Sequence, residues 1–83
     1  MPTMGYTEIL AEVTALVGRY AKSSANIEES TELVGDLGFD SLLVMEIVQE
    51  VEDAFDISLP LNELAEVRTL KDFVLQIQRE LEA

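Results

Sequence analysis

The chain has 83 residues, 48% of them hydrophobic, and its seventeen acidic residues against five basic ones give a formal net charge of −12. Those figures describe one small domain with enough apolar content for a core, and a surface that repels nucleic-acid phosphates and anionic membranes. The sequence holds no Cys and no His, which removes disulfides, thiolate nucleophiles, Cys-based metal sites and the usual general base near neutral pH.

The natural partners of such a surface are basic protein patches, reached by electrostatic steering that salt weakens; taken by itself, acidity is more simply read as a device for solubility. No apolar run approaches the ~20 residues of a membrane span. The start, Met1-Pro2-Thr3-Met4-Gly5-Tyr6, lacks the basic and apolar regions of a signal peptide, so a cytoplasmic monomer is expected. A chain this short can hardly enclose a substrate pocket. It is therefore expected not to be an enzyme, and any thioester chemistry must take its thiol from outside the polypeptide.

Ile9, Leu10, Val13, Leu16, Val17 and Tyr20 recur at helical spacing and predict a helix over about Thr7–Tyr20, capped by Thr7 and weakened at its end by Gly18. A long connection follows to Asp40. Its segment Lys22-Ser23-Ser24-Ala25-Asn26 is polar and turn-like, Ile27, Leu33 and Leu37 pin it to the core, and a helical turn is expected around Thr31–Val34. The second helix starts at Asp40 or Ser41 and runs to about Phe55, with Val44, Ile47, Val48, Val51 and Phe55 facing the core. At ~100° per residue, Glu46, Glu50 and Asp53 land on its opposite face; Leu42 lies beside them, and Leu43 and Met45 flank the core stripe. Asp56-Ile57-Ser58-Leu59-Pro60 leaves in extended form. Leu61–Ala65 makes one short helical turn. Thr69 then caps the last helix, with Asp72 three residues on as an imperfect capping box and Leu70, Phe73, Val74, Ile77 and Leu81 as its apolar stripe. The expectation is an all-α fold: a small bundle of three main helices plus one short helix, forming a single domain over residues 1–83 with its core about 7–81.

The informative stretch is Asp36-Leu37-Gly38-Phe39-Asp40-Ser41-Leu42. A turn rich in Gly and Asp presents a serine at the mouth of an amphipathic helix. A phosphate on Ser41 would meet the unpaired N–H groups and positive dipole of a helix N-terminus, but Asp40 next door would repel it and turn a phosphodiester outward. From these two residues alone, an ordinary N-cap is the simpler reading. No EF-hand loop is present and no metal site is expected.

Leu37-Gly38-Phe39-Asp40-Ser41-Leu42 resembles the L-G-x-D-S-L signature of carrier proteins in fatty acid and polyketide synthesis. The order of helix, long loop, acidic helix, Phe-Asp-Ile-x-Leu-Pro exit, short turn and final helix resembles that family from about Thr7 to Leu81. The resemblance implies that a phosphopantetheinyl transferase attaches 4'-phosphopantetheine from coenzyme A to Ser41, and that acyl intermediates travel as thioesters on its thiol. It also implies that the second helix meets basic patches on synthase enzymes such as acyltransferases and ketosynthases through Asp40, Glu46, Glu50, Glu52 and Asp53, with Leu42 and Met45 as apolar contacts. Leu43 stands where fatty acid carriers commonly have an acid. Together with Asp40, where peptidyl carriers usually have His, it points to a specialised pathway such as polyketide synthesis. A peptidyl or aminoacyl carrier is the alternative, and a plain interaction module with Ser41 as a mere cap is the third reading.

Overall fold

The computed structural model of the chain describes residues 5–21 and 26–82. Four helices follow in order: α1 (Tyr6–Gly18), α2 (Ser41–Phe55), the single-turn α3 (Leu61–Leu64) and α4 (Leu70–Glu82). The fold is all-α, as the periodicities predict. The segment Lys22–Ala25, read from sequence as a turn, lies outside the described residues.

Each long helix starts where a side chain satisfies its free N–H groups. For α1 the predicted cap was Thr7, but the cap is Gly5: its N–H donates to Glu8 Oε1 at 3.0 Å, and this pulls the helix start back to Tyr6. The helix stops at Gly18, short of the expected Tyr20, in a tighter turn where the N–H of Arg19 reaches Leu16 O. At α2, Asp40 Oδ1 accepts from the Leu43 N–H at 2.8 Å, so Asp40 is the cap and Ser41 the first helical residue. The helix ends on Asp56 in the left-handed region, φ 54°.

At α4 the box is reciprocal. The Asp72 N–H donates to Thr69 Oγ1, and Asp72 Oδ2 accepts from the N–H groups of Thr69 and Arg68, all at 3.1 Å. The backbone hydrogen bond from Thr69, and then that from Arg68, hold the Asp72 carboxyl below its ordinary pKa against an opposing cost of burial. A depressed carboxylate stabilises the fold above its unfolded pKa, and that contribution is lost as pH falls through the folded value. Asp72→Ala is expected to cost ~1 kcal/mol near neutral pH. In urea titrations the gap to the unsubstituted chain should narrow as pH falls from the unfolded-state pKa through the folded-state one; a gap of constant size at every pH would refute the assignment.

The core is built from one stripe of each long helix: Ile9, Val13 and Val17 from α1, Ile47, Val48 and Val51 from α2, and Leu70, Phe73, Val74 and Ile77 from α4. Helix α1 packs chiefly against α4. Val44, Phe55 and Leu81, expected in the core, are only half-buried at its margin. The connections supply Leu33, Phe39 and Leu59.

The long loop is more ordered than its composition suggests. Its residues pair with the start of α4 through Leu33 N–H to Arg68 O at 3.0 Å, Leu70 N–H to Thr31 O at 2.9 Å and Lys71 N–H to Glu29 O at 2.9 Å. This pairing centres on an isolated antiparallel bridge between Glu32 and Thr69. A turn over residues 33–37 follows, slightly later than the predicted Thr31–Val34. The Tyr6 hydroxyl adds a tie by donating to Glu29; burial first, and then Glu29, push its pKa up to about 12.

Candidate functional site

Three consecutive residues decide where Ser41 points. Gly38 takes φ 71°, a left-handed conformation that an L side chain rarely adopts. Phe39 is then turned into the core at 3% exposure, and its N–H donates to Leu33 O at 3.1 Å. Asp40 is fixed as the cap. With Phe39 anchored inward and Asp40 engaged, Ser41 begins α2 exposed, and among the described residues its hydroxyl makes no hydrogen bond. No described His exists and the neighbouring carboxylate is committed to the cap, so the hydroxyl has no base to activate it.

Apolar side chains that the core does not use gather around this hydroxyl: Leu42 is 71% exposed, Leu61 66%, Val34 64% and Met45 47%. A shallow groove of about 370 Å³ runs beside Ser41, walled by Val34, Met45, Leu61 and Leu64. Beneath it, between α2 and α4, lies an apolar cavity of about 50 Å³ that shares Val34, Val44, Val48 and Leu64 with the groove and reaches Phe73. Val34 and Leu61 escaped the sequence reading. Their signal was weak: single apolar residues in a polar loop and after a proline.

The acids assigned to the α2 face separate into two groups. Glu46 and Asp53 are exposed, and Asp40 is exposed while capping. Glu50 Oε1 instead takes an ion pair from Arg19 at 2.7 Å, tying α2 to α1, and its other carboxylate oxygen is buried without a partner. Glu52 Oε2 accepts from the Leu59 N–H at 2.8 Å and so holds the segment leading into α3. Among the described residues no group of three or more His, Cys, Asp or Glu is placed to hold a metal ion, and no helix is long and apolar enough to cross a membrane.

An unencumbered primary hydroxyl, open to solvent and bordered by an apolar groove, fits a covalently attached arm with an apolar load. Comparisons with known proteins meet this geometry. The family model described as "Phosphopantetheine attachment site" matches residues 7–77. A Caulobacter vibrioides protein named "Probable acyl carrier protein" is 40% identical over 65 residues, spanning 78% of this chain and 71% of its own length. The "Meromycolate extension acyl carrier protein" of Mycobacterium leprae is 35% identical across 90% of this chain and 60% of that protein. A "Non-reducing polyketide synthase" of Aspergillus terreus is 38% identical across 93% of this chain, which spans only 3% of the synthase. Among solved structures, a Mycobacterium tuberculosis chain assigned as an acyl carrier protein superposes with TM-score 0.77 and 29% identity, over 83% of this chain and 93% of that one. The cofactor of such a domain is 4'-phosphopantetheine, which supplies the thiol that a Cys-free chain lacks. An all-α chain whose signature, fold and family match agree over nearly its whole length belongs to the acyl carrier protein family of phosphopantetheine-binding domains.

Proposed function

We propose that the chain is a single, non-catalytic, monomeric carrier domain that bears acyl intermediates as thioesters on 4'-phosphopantetheine attached to Ser41. The observation that carries this reading is the exposed, unbonded Ser41 hydroxyl at the first residue of α2, beside an apolar groove. Leu43 in place of an acid, and the likeness to a polyketide synthase segment, favour cargo from polyketide or related specialised synthesis. The cytoplasm, where coenzyme A is at hand, is the compartment proposed. The test is intact mass after incubation with coenzyme A and a broad-specificity phosphopantetheinyl transferase: one phosphopantetheinyl group gained supports the reading, and an unmodified chain overturns it.

The docking face proposed for the transferase, acyltransferases and ketosynthases is the exposed part of the predicted set: Leu42 and Met45 within a rim of Asp40, Glu46 and Asp53. Glu50 and Glu52 border it but spend their carboxylates inside the domain. Exposed charge pairs are worth ~0–1 kcal/mol each, so the apolar contact should dominate the dissociation rate and the acids the association rate. Leu42→Ser is expected to slow loading by about tenfold, with stability unchanged within roughly 0.5 kcal/mol. Glu46→Lys should instead flatten the salt dependence of the loading rate. Rates indistinguishable from those of the unsubstituted chain at low salt would place docking elsewhere.

A further inference from the structure

Gln76 has no place in the carrier reading, yet it is among the most enclosed polar residues of the domain. It lies on α4 between Phe73 and Ile77 at 6% exposure, and its amide Nε2 is buried without any hydrogen-bond partner. An apolar residue there would avoid the cost of an unpaired amide donor.

Its position relative to the voids is informative. Gln76 lines a groove of about 210 Å³ between α3 and α4, on the far side of α3 from Ser41. The small apolar cavity sits between the two grooves. It shares Leu64 with the groove at Ser41 and Val67 with the groove at Gln76. Leu64 of α3 lines both the cavity and the groove at Ser41, and α3 is a single turn that buries no side chain of its own. A chain entering at Ser41 and passing Leu64 and then Val67 would arrive at Gln76.

The chemistry at that end is selective. Asp72 is engaged in the α4 cap and Arg79 lies 3.6 Å from Glu63, which leaves the Gln76 amide as the uncommitted buried donor. The groove is lined by Glu63, Glu66 and Asp72 against the single cation Arg79, so its charge is net negative and disfavours an anionic group, while a neutral oxygen acceptor would be accommodated. We propose that Gln76 is the polar terminus of a cargo passage beneath α3, and that it selects acyl chains bearing a ketone or similar neutral oxygen over plain alkyl chains of equal length. This rests on the carrier reading and names the class of cargo.

The experiment uses a phosphopantetheinyl transferase to load the full chain from medium-length acyl coenzyme A thioesters, plain or carrying one ketone at successive positions, and confirms loading by intact mass. The Gln76 side-chain amide proton resonances, assigned by their loss in Gln76→Leu, should shift with at least one ketone position and not with the plain chain. Cleavage of the thioester by hydroxylamine should be about fivefold slower for that ketone chain than for the plain one, the ratio expected of one net hydrogen bond, and the ratio should vanish in Gln76→Leu. Amide signals unmoved by every loaded chain, or a ratio that persists in Gln76→Leu, overturn the assignment. A chain that gains no mass at Ser41 overturns the carrier reading itself, and this proposal with it.

Discussion

Ser41→Ala is expected to gain no mass at all under conditions that load the unsubstituted chain fully, while keeping its fold. The first half follows from chemistry: the substitution deletes the only atom to which the arm could be joined at the family's site. The second half follows from the division of labour between two neighbours. Asp40, not Ser41, closes the α2 N-terminus through the Leu43 N–H at 2.8 Å, and Ser41 is exposed with an idle hydroxyl. Ala suits a first helical turn at least as well as Ser, so the stability change should lie within roughly 0.5 kcal/mol. Asp40→Ala is the opposite case. It keeps the attachment atom but removes the cap, at ~1 kcal/mol, and any loss of loading would then mix docking with fraying of the helix that presents Ser41. Intact mass and urea midpoints on both variants separate the two roles. Equal mass gain on Ser41→Ala would mean that attachment occurs at another hydroxyl.

How legible this was in the sequence depended on the range of the interaction that fixes each feature. Helices α2 and α4 carry their own start signals, Asp40 and the Thr69/Asp72 pair, followed by clean apolar stripes, and their boundaries could be read closely. The start of α1 could not, because Gly5 is held by a Glu8 carboxylate rather than by its own side chain, and glycine gives no positive capping signal. The pairing of residues 29–33 with 68–71 consists of backbone hydrogen bonds between segments far apart in sequence. Such bonds leave no trace in side-chain periodicity. Phe39 and Leu59 are single apolar residues in irregular segments, and only the folded chain reveals that both are buried.

The site was legible at Ser41 and blurred on the face around it, for the same reason. A helical wheel distinguishes inward from outward, so it placed Glu46, Glu50 and Asp53 together. It cannot see that Arg19, just past the end of α1, reaches Glu50 or that the backbone at Leu59 folds back onto Glu52. Nor could it single out Gln76, which reads as one polar residue beside an apolar stripe and becomes notable only once α3 and α4 enclose it.

Phe73→Ala is expected to leave about half of the molecules unfolded in the absence of denaturant. Phe73 is 1% exposed on α4 and forms the deep wall of the apolar cavity of about 50 Å³. Removing a buried Phe side chain costs ~3–5 kcal/mol, and the cost is highest where the surroundings cannot collapse. Collapse is obstructed here, because the new void would merge with an existing one while α4 is held in place by α1 and by the backbone pairing at its start. A domain of this size class has only ~3–5 kcal/mol to lose, so the two magnitudes cancel. Phe73→Leu, which keeps most of the volume, should cost less than about 1.5 kcal/mol and fold. Far-UV circular dichroism through a urea titration reads both variants, and a midpoint for Phe73→Ala within roughly 0.5 M of the unsubstituted chain would refute the argument. Salt supplies an internal check. The net charge of −12 makes the compact state repel itself, so screening should restore helical signal to Phe73→Ala and raise the melting temperature of the unsubstituted chain. Because the substitution leaves the charge unchanged, salt should stabilise both chains by a similar amount, and the extent of the rescue measures the self-repulsion they share.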